Sequence, residues 1–393
     1  MVKKIKILRI IPTLDSNYGG PVKTTIDTSI LLQKKGMKVD ILTCDDEKKI
    51  FFKSNKIKII NKGPSLLGMY CFNIKLFLWL KKNEKNYDTF IVHGVWTFLT
   101  LMARLLIKKK YYIYLHGQLD PFFSENFIKK IKKQFYWFLF ERTNLLNAKS
   151  ILLTSKGEYK SLKKTFVNTK NLKKKVIQYG ITKTSHNKKN LSVKFYNKFK
   201  KLKGKNFYLF LGRYHEKKGC EIIIESIRKL KDNFKDMVLM AGPLTNSNYE
   251  NKIIKLIKKY KLEKKIIISN ALYADLKWGA LQESKAMLLP SHGENFGVSL
   301  VESLSCGKPV LTTNKVNISH DITKHKAGYI SNNNINSFYN IFKKFIFLDK
   351  KSINRMSNNA VRCFDSNFNL KSNKNSLFNL IKNNFSEKNK KNY

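Results

Sequence analysis

The segment LLPSHGENFGVSLVESLSCGKPVLTT carries the most suggestive spacing in the chain. Glu294 lies in a polar loop and Glu302 follows eight positions later, on a helix expected to begin near Phe296. Eight positions is about two helical turns, so the two carboxylates cannot serve one atom as a close acid pair. They suit a ligand about as long as a nucleotide. Gly297 lets such a ligand approach the backbone, the N–H groups of the first helical turn near Phe296 and Gly297 can hold an anionic phosphate, and Glu302 can accept from ribose hydroxyls. The plain alternative is a helix start with an incidental Glu before it and a solvent-facing Glu within it.

A second segment, FLGRYHEKKGCEIIIESI, sets Arg213 directly after an expected strand and Lys218 just before Gly219 and the next helix. Both can reach a diphosphate, and fixed cations in a dry cleft stabilise charge that grows on a leaving group. Surface cations on a strand-to-helix loop are the competing reading. Gly19-Gly20-Pro21 opens a helix, with Pro suited to its first positions. His116 ends YYIYLHG and opens HGQLDP, and His93 ends FIVHG. From a strand end an imidazole can point into a cleft, although a lone histidine there is more often structural. Asp45-Asp46 lacks both the D-x-D pattern and the supporting ligands of a divalent ion, so no metal is expected. The run FYWFLF at 135–140 reads as the buried face of a helix, with a membrane-lying segment as the alternative.

These residues need strand ends and helix starts to hold them. KIKILRII, KVDILT, IKII, FIVHGV, YYIYLHG, SILLTS and VIQYGI read as strands with helical segments between several of them; Val22, Ile26 and Ile30 mark one apolar helix face. After a Lys/Asn-rich stretch from Thr182, the strands FYLFLG, MVLMAG, KIIIS, AMLLP and PVLTT repeat the pattern. The expected class is α/β, with two facing doubly wound Rossmann-like domains and a central cleft at the strand carboxyl ends. The expected bounds are an N-terminal Rossmann-like domain at 1–190, a linker at 191–205, a C-terminal Rossmann-like domain at 206–365, and a C-terminal helix or tail at 366–393 packing back on the first domain. The last eight residues, SEKNKKNY, are expected to fray.

At 393 residues the chain is long enough for two cores. Its 77 basic and 27 acidic residues give +50, but the lysines are spread along the chain rather than gathered in a stripe with aromatics. That distribution argues against nucleic acid and leaves contact with an anionic membrane as the alternative to a solvated basic surface. Five dispersed cysteines suggest neither a disulfide framework nor a zinc site. No signal peptide or membrane span is expected, which points to the cytoplasm and, at most, a peripheral place at the inner face of the cytoplasmic membrane.

Taken whole, the strand, loop, paired Glu residues and Gly-Lys-Pro-Val exit of the 288–313 region resemble the signature of the family-4 (group 1) retaining glycosyltransferases, which have the GT-B fold. The resemblance implies transfer of a hexosyl or N-acetylhexosaminyl group from a UDP- or GDP-linked sugar to a hydroxyl, without a cofactor or metal. It assigns Arg213 and Lys218 to the donor diphosphate, Gly19 and Gly20 to a loop near the donor phosphates and sugar, and His116 to the neighbourhood of the transferred sugar, with His93 second. Glu294 orients the sugar, and Glu302 holds the ribose. It further implies a glycan acceptor, lipid-linked in bacterial surface polysaccharide (lipopolysaccharide, O-antigen or capsule) assembly. A soluble transferase acting on a small sugar or sugar phosphate, and an inactive transferase fold that binds membrane or nucleic acid, are the alternatives. Gln178-Tyr179-Gly180-Ile181 stands where the family has Pro-Asn-Gly-Ile, and Asn270 where a strand-end Gly is common; both departures bear on the hinge and cleft.

Overall fold

The computed structural model describes residues 4–119, 127–162, 169–177, 179–183, 188–371 and 377–390. Asp120 and Pro121 of HGQLDP, and Gln178, lie outside them. The chain divides into two compact units, Met1–Tyr179 with Lys374–Tyr393, and Gly180–Asn373.

The first unit holds seven parallel strands: β1 (Lys6–Ile11), β2 (Lys38–Asp46), β3 (Lys58–Gly63), β4 (Thr89–His93), β5 (Tyr111–Tyr114), β6 (Ser150–Leu153) and β7 (Lys174–Val176), in the order β3-β2-β1-β4-β5-β6-β7. The second holds β8 (Phe207–Leu211), β9 (Met237–Ala241), β10 (Ile266–Ser269), β11 (Met287–Leu289), β12 (Val310–Thr313) and β13 (Gly328–Ser331), also parallel, in the order β10-β9-β8-β11-β12-β13. The central strands β4, β5, β8, β9, β11 and β12 are buried along their whole length, as strands covered by helices on both faces must be. In each sheet the order turns back beside the first strand, so β1 lies between β2 and β4, and β8 between β9 and β11. A doubly wound sheet binds ligands at the carboxyl end of such a switch point. His93 closes β4 at one of them; Arg213 and the loop bearing Glu294 follow β8 and β11 at the other.

Several expectations need correction. VIQYGI is not the seventh strand: β7 is shorter and ends at Val176. β13, which follows a helix of only six residues, was not foreseen. The expected linker at 191–205 begins inside a helix, Lys188–Lys198, that belongs to the second unit. Leu191, Phe195 and Phe199 form its buried stripe, and Phe195 stacks on Phe207 with ring centroids 5.4 Å apart. Polar composition hid a four-residue apolar period. The division falls instead at Gly180, where a Cβ would lie 2.5 Å from the Phe368 carbonyl oxygen.

The helix Gly20–Lys34 buries Val22 as expected, but the rest of its inner face is Thr25, Ser29 and Leu32, with Ile26 only partly buried and Ile30 exposed. Its hydroxyls face the buried guanidinium of Arg9, which donates to Thr28 Oγ1 at 2.5 Å and Ser29 Oγ at 3.1 Å. FYWFLF is only partly core: Trp137 is fully buried, whereas Phe135 is 68% exposed and Phe138 56%. At the C-terminus the helix Leu377–Lys390 buries Leu377, Leu380 and Ile381, and Asn384 donates to the Tyr112 hydroxyl at 2.7 Å, so this segment packs on the first unit. The residues expected to fray are helical as far as Lys390.

Candidate functional site

In the second unit two loops are locked together, largely through their backbones. His292 N donates to the Lys217 carbonyl at 2.9 Å, and Ser291 Oγ to the same oxygen at 2.7 Å. Gly219, at φ +66°, sits so close to Pro290 that a Cβ would lie 2.2 Å from its carbonyl oxygen. The strand-end loops after β8 and β11 therefore touch through backbone, and only glycine permits it. Glu294 is pinned further: its N–H donates to the Lys315 carbonyl at 3.2 Å and its carbonyl accepts from Asn317 N at 2.9 Å.

The consequence is an ion pair between Lys218 and Glu294, both largely buried. Burial alone would raise the Glu294 carboxyl; Lys218 first, then Lys217 and Arg213, outweigh it and hold the group below the usual carboxylate range. Arg213 is exposed beside this pair. Gly297 caps the helix Val298–Ser305 at φ +68°, and a Cβ there would press 3.3 Å from Glu294 Cγ. The helix thus starts two residues later than expected. The Phe296 ring is in the core, edge-on to Phe368 at 5.7 Å, which leaves its backbone as the part able to meet a ligand.

Glu302 lies within that helix and is 3% exposed, so it is no solvent-facing residue. Lys277 Nζ donates to its Oε1 at 2.7 Å. Lys277 escaped the sequence reading because it sits on a different helix, Ala274–Glu283, and nothing in its local spacing marks it among so many lysines. Asn270, where the family pattern has Gly, turns its Oδ1 back onto Ala271 N at 2.7 Å and stabilises the turn after β10.

In the first unit His93 and His116 stand together with their rings nearly parallel, 18° apart, and centroids separated by 5.1 Å. Arg9 Nε donates to His93 Nε2 at 3.2 Å. An accepting Nε2 in a neutral imidazole leaves the proton on Nδ1, which then donates to His116 Nε2 at 2.9 Å. By the same logic His116 Nδ1 carries its proton toward the Tyr179 hydroxyl, 2.6 Å away. Burial, then the Arg9 charge, lowers both histidines, His116 to about 3, so both rings are neutral across the physiological range. Arg9 itself is lowered by burial only to about 10 and stays charged.

His116 adopts φ +53°, a costly conformation for a residue other than glycine. The following turn is fastened by the buried Glu158 carboxylate, which accepts from Gly117 N at 2.7 Å and Thr154 N at 2.6 Å. Gly19 needs its own freedom, with φ +91° at the cap of Gly20–Lys34, and Thr24 in the first turn of that helix donates to the Gly20 carbonyl at 2.9 Å. Asp45 accepts from Thr13 Oγ1 at 2.5 Å and Leu14 N at 2.8 Å, so it orders the loop after β1. A surface pocket of about 420 Å³ beyond β2 and β3, lined by Leu14, Asp45, Phe52 and Trp79 among others, contains none of the expected site residues.

The structure thus gathers Arg213, Lys218, Glu294, Phe296, Gly297 and Glu302 in one unit, and Gly19, Gly20, His93 and His116 in the other. Residues 193–362 match the family described as glycosyl transferases group 1, and residues 18–184 the family described as glycosyltransferase family 4. The chain is 26% identical over 249 residues to a 2-deoxystreptamine N-acetyl-D-glucosaminyltransferase of Niallia circulans, a match covering 60% of this chain and 61% of that relative. In fold it is similar to Anabaena HepE solved with UDP-glucose, with a TM-score of 0.76, 16% identity, and 98% and 100% of the two chains covered. It is also similar to WaaG, a glycosyltransferase involved in lipopolysaccharide biosynthesis, with a TM-score of 0.70, 14% identity, and 92% and 95% covered. Both likenesses identify the GT-B fold, two α/β units each built on a parallel sheet.

Proposed function

Because the chain belongs to the family-4, group 1 glycosyltransferases, we propose that it moves a hexosyl or N-acetylhexosaminyl group from a UDP- or GDP-linked sugar to an acceptor hydroxyl, with retention of configuration. The observation that carries this reading is the Lys218–Glu294 pair held at the carboxyl ends of β8 and β11, with the Glu302–Lys277 pair on the helix behind it.

In this mechanism the bond from the sugar's anomeric carbon to the diphosphate oxygen breaks as that carbon bonds the acceptor oxygen on the same face; the acceptor's proton passes to the departing diphosphate, and charge grows on the leaving oxygen until it does. Arg213 and Lys218 stabilise it, helped by the amides near Phe296 and Gly297. Lys218 has three N–H donors and can hold Glu294 and a phosphate oxygen at once. These fixed cations do the work that a divalent ion does elsewhere, so the reaction is metal-independent and needs no cofactor. Glu294, kept ionised by its neighbours, accepts from sugar hydroxyls and orients the ring. Glu302, steadied by Lys277, accepts from the ribose. His116 works as a neutral hydrogen-bonding group toward the sugar or its acceptor; both ring nitrogens already have partners, so contact requires exchange with Tyr179 or His93. The Gly19-Gly20 turn lines the donor phosphates.

The acceptor is a glycan, lipid-linked in bacterial surface polysaccharide assembly, and the enzyme works in the cytoplasm at the inner face of the membrane. The likeness to WaaG and the basic charge support this setting. Nucleoside diphosphate release from UDP-, GDP- and ADP-sugars, with chelator and with or without a lipid extract, tests the proposal. Release that needs one donor and the extract supports it. Release without any lipid acceptor points to a soluble transferase, and well-folded protein that neither binds nor turns over nucleotide sugars overturns it.

A further inference from the structure

Among the described residues, the first unit carries two segments whose apolar side chains are exposed. On the helical stretch Phe127–Glu141 the inner face is Trp137 and Glu141, both fully buried. The outer face is Ile131, Phe135, Phe138 and Leu139, all at least half exposed. The five-residue π-helical turn Trp137–Glu141 turns Phe138, Leu139 and Phe140 outward together while Trp137 stays in the core.

The second segment is the loop after β3. Leu66, Leu67 and Met69 are among the most exposed apolar side chains described, Met69 at 84%. The backbone goes to some cost to present them: Leu67 and Cys71 both hold φ +60°, and Leu66 and Phe72 exchange backbone hydrogen bonds of 2.8 and 3.0 Å that close the loop. Leucine in the left-handed region is disfavoured, and such strain persists where a surface is used. The two segments are joined, since Tyr70 and Tyr136 pack edge to face at 6.1 Å with their hydroxyls 3.4 Å apart. An apolar surface assembled from two elements is more than the scattered single side chains of an ordinary exterior.

Charge identifies the occupant. Residues 64–83 and 127–140 contain seven lysines and no acidic residue. A two-fold contact with a second copy would set these lysine-rich segments against their own like charge, whereas an anionic lipid surface complements them. Aromatic and aliphatic side chains on one helix face flanked by lysines are what inserts at the headgroup boundary of a bilayer. We propose that the surface formed by Ile131, Phe135, Phe138 and Leu139 with the Leu66–Met69 loop seats the protein on an anionic bilayer. It does so independently of the sugar-transfer reading, because no site residue lies on it.

The test is co-sedimentation of the full chain with vesicles of phosphatidylcholine alone and of phosphatidylcholine with phosphatidylglycerol. It compares wild type with the double variants Phe135→Ser/Phe138→Ser and Leu67→Ser/Met69→Ser. Wild type should partition onto the anionic vesicles, each double variant should lose about tenfold in partition, and salt should weaken binding without abolishing it. Melting temperatures should stay unchanged, since these side chains are exposed; a variant that melts early is replaced by the other. Nucleoside diphosphate affinity, measured alongside, reports on the second unit and keeps a failure here separate from a failure of the transferase reading. Equal partition of all three proteins overturns the proposal. So does a concentration-dependent dimer that the same variants dissociate while vesicles leave wild type in solution.

Discussion

The Tyr179 hydroxyl lies 2.6 Å from His116 Nδ1, so the residue that stands where the family has Asn closes a chain running Arg9, His93, His116, Tyr179. Tyr179→Phe leaves a buried N–H of His116 without its acceptor and frees the ring to change tautomer. The expected cost is about 1–2 kcal/mol in urea denaturation. In kinetics kcat should fall while nucleoside diphosphate affinity, which we assign mainly to residues of the other unit, stays as it was. Wild-type kcat with lowered donor affinity would mean that Tyr179 has some other role.

Both histidines are held neutral, which fixes the sign of a pH effect on stability. An unfolded histidine binds its proton near 6.5, whereas folded His116 refuses it until about 3. Below 6.5 the unfolded state therefore binds more protons, and stability falls as the pH drops through that window. Glu294, with its lowered carboxyl, acts in the same direction at the acid end. Melting temperature should decline between pH 7 and 5, and His116→Gln should flatten that decline.

Lys218→Ala leaves the Glu294 carboxylate largely buried without its strongest counter-charge. The Glu294 carboxyl should shift upward, and kcat/KM should drop about 10²–10³-fold, the scale of losing one preorganised charge at the leaving group. Lys218→Arg should recover part of it. A loss confined to KM would show that Lys218 binds the ground state and transition state alike.

Lys277→Ala and Glu302→Ala should each weaken nucleoside diphosphate binding in calorimetry, and the double variant should lose less than the sum, because the two share one contact of 2.7 Å. Lys277→Ala strands a buried acceptor and should cost about 1–3 kcal/mol of stability. Strict additivity would separate the two residues functionally.

Gly219→Ala places a Cβ 2.2 Å from the Pro290 carbonyl oxygen at φ +66°. Parting the two loops moves Lys218 away from Glu294, so activity should fall together with a loss of about 2–4 kcal/mol in unfolding free energy. Gly204→Ala, also at positive φ but with open space around it, is the control for backbone strain alone.

Much of this molecule was legible before any coordinate. Short apolar runs ended by Gly, Pro or polar clusters marked eleven of the thirteen strands of the described residues at or near their places, because a strand buried on both faces must be apolar throughout. Where the local signal was weak the reading failed. Leu191, Phe195 and Phe199 were lost among lysines and asparagines, the three-residue β7 was misplaced, and β13, with Gly, Tyr and Ser in its four residues, was missed. FYWFLF looked like core because composition cannot say which way a helix faces.

The sequence by itself determined that Arg213, Lys218, Glu294 and Glu302 sit on loops and helices at strand ends, because turn glycines and apolar runs are local signals. Only the tertiary structure decided who their partners are. Lys277 reaches Glu302 across 25 positions, Lys218 reaches Glu294 across 76, and Arg9 reaches His93 across 84. Such pairings follow from strand order, which parallel sheets set by non-local hydrogen bonds that leave no trace in the residues on either side.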